Sequence, residues 1–456
     1  MPRSTPPDWL SLLPRRVRAG LADRPAALAI VGNTGWLLVD KLARIVLGLI
    51  VGAWVARYLG PARFGDLAYV LAFIAFFQAL AGLGADGIVV RDIAQRPDDA
   101  PLVLGTTLVL RSAAGLACWA LAVATMAATS GGATEAVTLT AIVGGTLVFQ
   151  AGDTVDLWFQ SQSESRRTVL ARLAATILSS ALRIALILGG APLVAFAWIT
   201  LFEAAAAALG LAVAYARLPT RHRWRASRDR SRTLLRQAWP FMLSGTSIAI
   251  YMRIDQIMVK EMLGERQLGI YAAALPLSQV WHVIPVTLAV SLAPYVARRK
   301  MAGDAPYMDA MADLFRLFGG LALAISIPTA LLAPLAVRWL YGQAYAEASG
   351  VLTVHVFSNV FIFLGVAQGL WLVNESAGRL SLYRTLIGAA VSVGANVLLI
   401  PRWGVLGAAF TSVLSQACAA VGSNAIFAPS ILRLQVRGLL QRRPSRPPPD
   451  DPGAGR

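Results

Sequence analysis

The sequence predicts an all-α polytopic membrane protein with about twelve transmembrane helices. They would form two six-helix lobes related by a pseudo-twofold axis along the membrane normal. Three observations predict this. Of the 456 residues, 57% are hydrophobic and 14% charged, and the mean hydropathy is +0.61. A soluble chain carries about 45–50% apolar and about 25% charged residues. Twelve apolar stretches approach the roughly 20 residues that a spanning helix needs, centred near residues 46, 74, 114, 148, 179, 204, 250, 282, 322, 361, 389 and 416. A seven-residue motif also recurs after an offset of 204 residues.

Residues 1–26 form a basic tail with no continuous apolar stretch followed by a cleavage site, so no removable signal peptide is expected. The first lobe is expected at 27–216, a basic loop at 217–236 and the second lobe at 237–430. The final segment, 431–456, ends in a Pro- and Arg-rich run and is expected to be partly disordered.

Basic residues orient these spans. The tails and even-numbered connections hold 30 of the 41 Lys and Arg residues, and the odd-numbered connections hold six. Both termini are therefore expected on the cytoplasmic side of a bacterial inner membrane. The loop 217–236 alone carries eight arginines, which suit a topology anchor against anionic headgroups. The formal charge of +17, which on a soluble protein would suggest nucleic acid, here records topology. Trp54, Tyr58, Trp339, Tyr341, Tyr345 and Trp403 fall where one interfacial belt is expected, and Trp158, Trp239 and Trp371 where the other is.

The recurring motif is Leu59-Gly60-x-x-x-Phe64-Gly65 after span 1 and Leu263-Gly264-x-x-x-Leu268-Gly269 after span 7, followed by Tyr69 and Tyr271. Six spans per half leave both halves in the same orientation. That is the parallel-repeat transporter plan, with a substrate site between lobes.

Charges inside spans cost about 2.5–3.5 kcal/mol each at a helix centre and usually face a cavity or a partner. The chain places Asp40, Lys41, Arg44, Arg111, Asp153, Asp156, Arg183, Glu203, Arg253 and Asp255 there. Asp40 and Arg44 are spaced to pair, and Asp153 and Asp156 share a helix face. Two readings stand side by side: a structural ion-pair network, or a hydrophilic, partly cationic cavity. In the second, Lys41, Arg44, Arg111, Arg183 and Arg253 bind an anionic substrate. Asp255, Asp153, Asp156 and Glu203 are then the candidates for ion coupling. Polar in-span residues such as Gln78, Gln150, His282, Asn359, Gln368, Asn396, Gln416 and Asn424 are expected chiefly as interhelical hydrogen bonds.

Cys118 and Cys418 each lie inside an apolar run, too few for a disulfide framework or a metal site. No P-loop, no H-E-x-x-H and no cofactor motif occurs, and the three histidines are scattered. The outer connections are short. A membrane glycan polymerase or ligase, which needs catalytic outer-loop residues, is therefore the weaker alternative, and the chain is not expected to be an enzyme.

Lys41-x-x-Arg44, followed by Val55-Ala-Arg-Tyr58-Leu-Gly60-Pro61-x-x-Phe64-Gly65, resembles the opening of bacterial polysaccharide flippases of the Wzx type. Tyr251-Met-Arg253-Ile-Asp255-Gln-Ile-Met258, leading into Leu268-Gly-Ile-Tyr271, is similar to that family's span 7–8 signature. Pro401-x-x-Gly404-x-x-Gly407 resembles the turn before its last helix. The likeness covers residues 33 to about 425 and implies a member of the multidrug/oligosaccharidyl-lipid/polysaccharide exporter superfamily. Such a protein moves undecaprenyl-diphosphate-linked oligosaccharide from the cytoplasmic to the periplasmic leaflet by alternating access, coupled to H⁺ or Na⁺. It works among membrane lipids and beside a polysaccharide polymerase, without nucleic acid. Lys41, Arg44 and Arg253 are the positions to which the likeness carries a basic lumen. A multidrug/cation antiporter of the same superfamily is the nearest rival, and the five in-span basic residues weigh against it.

Overall fold

The computed structural model describes residues 25–162, 164–218, 223–375 and 377–440. The expected basic tail through residue 24, part of the arginine-rich loop at 219–222 and the Pro- and Arg-rich end at 441–456 lie outside the described residues.

Among the described residues every element is helical. Helices α1 (25–59) and α2 (61–81) form one run, Pro25–Ala81, broken at Gly60. A turn and a further helix, Asp86–Gln95, extend α2. Then follow α3 (Ala100–Thr129), α4 (Thr134–Ser161), α5 (Ser165–Leu188) and α6 (Leu193–Ala216). The second half holds α7 (Arg228–Leu263), α8 (Glu265–Met301), α9 (Asp304–Leu340) and α10 (Ala348–Asn374). Helices α11 (378–403) and α12 (405–427) share the run Gly378–Phe427, broken at Gly404, and α13 is Pro429–Leu440.

Each of the twelve predicted centres falls inside one of α1–α12. Nine runs among the described residues are long and apolar enough to cross a membrane. Two of them, Asp40–Gln95 and Gly378–Phe427, each contain two spans. The twelfth, α7, is less apolar because it begins in arginines and carries Arg253 and Asp255. Large apolar side chains such as Leu188, Leu331, Leu335 and Trp339 stand exposed. In water such surfaces would drive association; in lipid they are the outer face.

The described chain divides into two compact units, Met1–Pro276 with Ala336–Ala348, and Leu277–Leu335 with Ser349–Arg456. The first has apolar cores around Ile74, Leu147 and Phe196 and around Ile93, Leu104 and Phe159. The second is built around Phe315, Phe318, Phe363 and Ile431. The six-helix lobes are a division by sequence repeat; compactness groups the chain differently, because α7 packs along α1 and α2 in the first unit.

The recurring motif explains that packing. Gly60 (φ 73°, ψ 168°) and Gly264 (φ 88°, ψ 176°) share one conformation that side-chain-bearing residues do not adopt. Each ends one helix and lets the next begin at Pro61 or Glu265, residue types suited to a helix N-terminus. The second glycines then meet crosswise. A Cβ on Gly65 would overlap the Glu265 carbonyl and stand 3.0 Å from the Gly269 nitrogen. A Cβ on Gly269 would overlap the Pro61 carbonyl and stand 3.1 Å from the Gly65 nitrogen. Position 3 of each motif thus faces position 7 of the other, a local twofold relation between the repeats.

Two expectations change. Tyr341 and Tyr345 are 2% and 1% exposed, so they are not interfacial anchors. Tyr345 donates to the Ala56 carbonyl at 2.6 Å and packs edge-on against Phe64, which ties segment 336–348 to the motif. Trp158, also expected in a belt, is buried as well. The tail expected from 431 starts as helix α13, because Ile431 and Leu434 lie one turn apart and fill the second unit's core.

Gly65→Ala or Gly269→Ala forces two backbones apart and is expected to cost about 1–3 kcal/mol. Gly48, whose Cβ would meet nothing within 4 Å, is the control and should tolerate alanine. Thermal unfolding of the detergent-solubilised protein checks this. Equal melting temperatures for all three variants would mean the crossing carries no weight.

Candidate functional site

The in-span charges are all in the first unit, and they do not form one cationic set. Asp40, buried on α1, pairs with Arg44 one turn on at 2.9 Å. On α4, a 3₁₀ turn at Gln150–Gly152 precedes the helical segment Asp153–Ser161. Asp153 and Asp156 therefore lie in a first turn, where the helix dipole favours anions. Both reach Arg172 of α5, at 2.8 and 3.1 Å. Asp40 also acts on Arg172, so α1, α4 and α5 converge on one cluster of three carboxylates and two guanidiniums. Gln160 donates to Asp156 at 3.0 Å.

The cluster is incompletely satisfied. Among the described residues, Asp40 Oδ1 and Arg44 Nε are buried without a hydrogen-bond partner. Buried polar atoms normally have one; a water, an ion or a substrate group would supply it here. Lys41, next to Asp40 but turned a helical step away, is exposed.

The remaining predicted residues engage other partners. Arg111, 3% exposed, pairs with Asp86 and donates to the Gly82 carbonyl at 3.2 Å. Arg183 of α5 pairs with Glu203 of α6 at 2.9 Å, and Thr176 donates to the same carboxylate at 3.1 Å. Asp255 accepts from the Tyr271 hydroxyl and from the Gln256 backbone amide. Arg253 is half-buried and makes no ion pair among the described residues. Three of the five predicted cationic residues are thus neutralised, and Lys41 and Arg253 make no ion pair among the described residues.

Arg172 is the residue that sequence reasoning passed over. It lies seven positions into α5, close enough to the end of the span to be counted with the loop. The signal available was its spacing from Thr176 and Arg183, which places all three on one side of the helix. Several of the polar residues form interhelical bonds: Gln150 donates to the Gln78 backbone carbonyl at 3.3 Å, Gln368 to Asn424 at 2.6 Å, and His282 lies 2.9 Å from Asn359; buried Asn396 has no hydrogen-bond partner among the described residues.

The comparisons with known proteins agree with the likeness seen in the motifs. The model of a polysaccharide biosynthesis protein family matches residues 30–300. An uncharacterized membrane protein of Bacillus subtilis (strain 168), YabM, is 29% identical over 156 residues, 33% of this chain and 28% of its own length. The match therefore spans less than a third of that curated relative. An inward-facing multidrug resistance MATE family transporter of the MOP superfamily superposes with a TM-score of 0.69 at 19% identity, covering 87% of this chain and 99% of its own. The lipid II flippase MurJ, in an inward closed conformation, superposes with a TM-score of 0.68 at 12% identity, covering 91% of each chain. At these identities the two structures share the fold.

Arg172→Met should leave Asp153 and Asp156 without their cation and cost about 1–3 kcal/mol. A second change, Asp156→Asn, should restore part of that loss. Melting temperatures of the two variants in detergent measure it, and an unchanged value for Arg172→Met would dissolve the cluster as a structural unit.

Proposed function

The chain belongs to the polysaccharide biosynthesis protein family, and from that premise we propose that it is a flippase for lipid-linked oligosaccharide. The substrate would be an undecaprenyl-diphosphate-linked repeat unit, moved from the cytoplasmic to the periplasmic leaflet by alternating access of the two six-helix lobes 27–216 and 237–430. The observation that carries this reading is the partly satisfied cluster of Asp40, Arg44, Arg172, Asp153 and Asp156.

Its chemistry is an exchange of anions. With no substrate, carboxylates hold the guanidiniums of Arg44 and Arg172. A diphosphate offers those guanidiniums bidentate, doubly charged acceptors and competes with the carboxylates. The displaced acids then bear uncompensated charge in a medium of low dielectric, which favours uptake of a proton or Na⁺. Substrate and coupling ion would thus bind in linked fashion at one place. Lys41 and Arg253, unpaired among the described residues, add attraction without needing release. Arg111–Asp86, Arg183–Glu203 and Asp255–Tyr271 would act as further exchangeable pairs along the route. The lipid tail stays in the bilayer throughout. A polysaccharide polymerase on the receiving side would consume the product.

A multidrug/cation antiporter of the same fold is the second reading. It is favoured by one observation, the excess of three carboxylates over two guanidiniums in the cluster. An organic cation would then replace the coupling ion beside Asp40.

The test uses full-length protein in liposomes carrying an undecaprenyl-diphosphate oligosaccharide whose sugar is accessible to an external lectin. Arg44→Gln and Arg253→Gln are each expected to slow its transfer by about tenfold or more, the worth of one charge-assisted contact. In cells the same variants should strand repeat units on the cytoplasmic leaflet. Transfer at the unmodified rate in both variants would overturn the assignment, and cation efflux without lipid transfer would establish the antiporter instead.

A further inference from the structure

The arginine-rich connection is clamped at its end, and the clamp builds a cavity. The Arg225 amide donates to the Pro101 carbonyl at 3.0 Å, and the Ser227 amide to the Thr106 hydroxyl at 3.2 Å. Gly105 makes room for this: a Cβ there would stand 2.2 Å from the Arg225 carbonyl oxygen. Residues 225–227 are therefore pressed onto the first turns of α3, and α7 starts beside the helix Asp86–Gln95.

Helical period decides what faces the space between those two helices. On α7, Arg230, Leu234, Gln237 and Phe241 follow at intervals of four, three and four, which is one face of a helix. On the other helix, Ile88, Arg91 and Gln95 do the same. Each face is polar at one end and apolar at the other. Three contacts align them in opposite directions: Arg230 pairs with Asp92, Arg91 reaches Gln237 at 3.5 Å, and Gly84, whose Cβ would stand 2.5 Å from the Met242 nitrogen, abuts α7. Polar end thus meets polar end, and apolar end meets apolar end.

Two adjoining cavities result, both inside the first unit. The polar one, about 240 Å³, is lined chiefly by Arg91, Asp92, Arg96, Asp99, Arg230 and Gln237. The other, about 460 Å³, runs past Gly84, Gly87, Ile88 and Phe241. Arg91 and Gln237 belong to both. Trp239, Phe241 and Leu243 of α7 are all exposed, so the second cavity opens on a surface that lipid covers.

Charge and donor count decide what the polar cavity accepts. Asp92 is its hub. One carboxylate oxygen accepts from Arg91 Nε and Nη2 at 3.0 and 2.8 Å, and the other accepts from Arg230. A single carboxylate orients both guanidiniums but neutralises only one charge. Arg96 makes no ion pair among the described residues, and Arg230 Nε is buried with no acceptor among them. With Asp99 included, the lining holds three cations against two anions. A guanidinium carries five donors, so three of them offer far more hydrogen bonds than two carboxylates take. A phosphodiester answers both needs, with one negative charge and several acceptor oxygens.

We infer that the two cavities together bind one anionic membrane phospholipid. Its phosphodiester lies among Arg91, Arg96 and Arg230, and the start of an acyl chain lies beside Gly87 and Phe241. Basic pockets between spanning helices suit such headgroups, and the adjoining apolar space is what selects a lipid. A free phosphate would use the first cavity alone and gain nothing from the second. The bound lipid would tie α7 to the helix Asp86–Gln95, reinforcing a contact between residues 138 positions apart. The inference requires only that the chain lies in a membrane; the diphosphate of the flippase reading is assigned to α1, α4 and α5 instead.

The test is native mass spectrometry of the full chain, released from detergent micelles after incubation with phosphatidylglycerol, phosphatidylcholine or inorganic phosphate. The expected result is one phosphatidylglycerol retained per chain, at concentrations about tenfold below those that phosphatidylcholine requires, and no retained phosphate. Arg96→Gln, which breaks no ion pair, should weaken that retention about tenfold, the worth of one charge-assisted contact. Arg230→Gln should weaken it at least as much. Gly87→Leu probes the apolar cavity. A Cβ at Gly87 meets nothing within 4 Å, so the leucine fills the space without moving backbone. It should abolish phosphatidylglycerol retention while the melting temperature stays at or above the wild-type value. Equal retention of the two lipids by the wild type would overturn the proposal, as would undiminished retention in both Arg96→Gln and Gly87→Leu. Inorganic phosphate held as tightly as phosphatidylglycerol, and unaffected by Gly87→Leu, would make this a free-anion site and overturn the lipid assignment.

Discussion

Two glycines pressed crosswise, Gly65 against the Glu265 carbonyl and Gly269 against the Pro61 carbonyl, set the geometry from which the rest of the first unit follows. Without Cβ atoms the N-terminal turns of α2 and α8 meet backbone to backbone, which dispersion forces reward only at such short range. In lipid, where apolar side chains gain nothing by leaving the solvent, small residues at helix contacts are the main means of close association. The contact draws α7 and the first turns of α8 onto α1 and α2 within the first unit. It also explains why Lys260 lies within 3.7 Å of Asp66, why Tyr69 donates to Glu261 at 2.8 Å, and why Tyr345 is buried against Ala56. Each of these pairs joins segments that are distant in sequence and were brought together by the crossing.

Electrostatics then divides the molecule. Most in-span charges of the first unit are held in pairs, one within α1 and the others joining α4 to α5, α5 to α6, and α3 to the segment after α2. The second unit's interior relies on neutral bridges, Gln368 with Asn424 and Gln435, and His282 with Asn359.

Much of this was legible in the chain. Apolar stretches reported every span, because lipid demands them one by one and each helix satisfies its own backbone. The glycine motif reported the repeat, since a positive φ at Gly60 and Gly264 and a close approach at Gly65 and Gly269 each exclude a side chain. Pairing of Asp40 with Arg44 was legible for the same reason, as one helical turn decides it. Less legible were contacts between helices. Arg172 reads as a loop charge until α4 is packed beside it, and Tyr341 and Tyr345 read as interfacial anchors until segment 336–348 folds onto α1. The helix Pro429–Leu440 was hidden because only two or three of its residues are apolar on one face.

The sequence by itself therefore determined the membrane class, the number and order of the helices, the repeat and the inventory of charged side chains in the spans. These follow from local rules: hydrocarbon thickness, helical period and the stereochemistry of glycine. Tertiary structure alone decided which charges neutralise one another, which remain unpaired and which tyrosines are buried. Those outcomes depend on the rotation and depth at which one helix meets another, and in a bilayer that is set by close packing across the whole interface, which no single stretch of sequence contains.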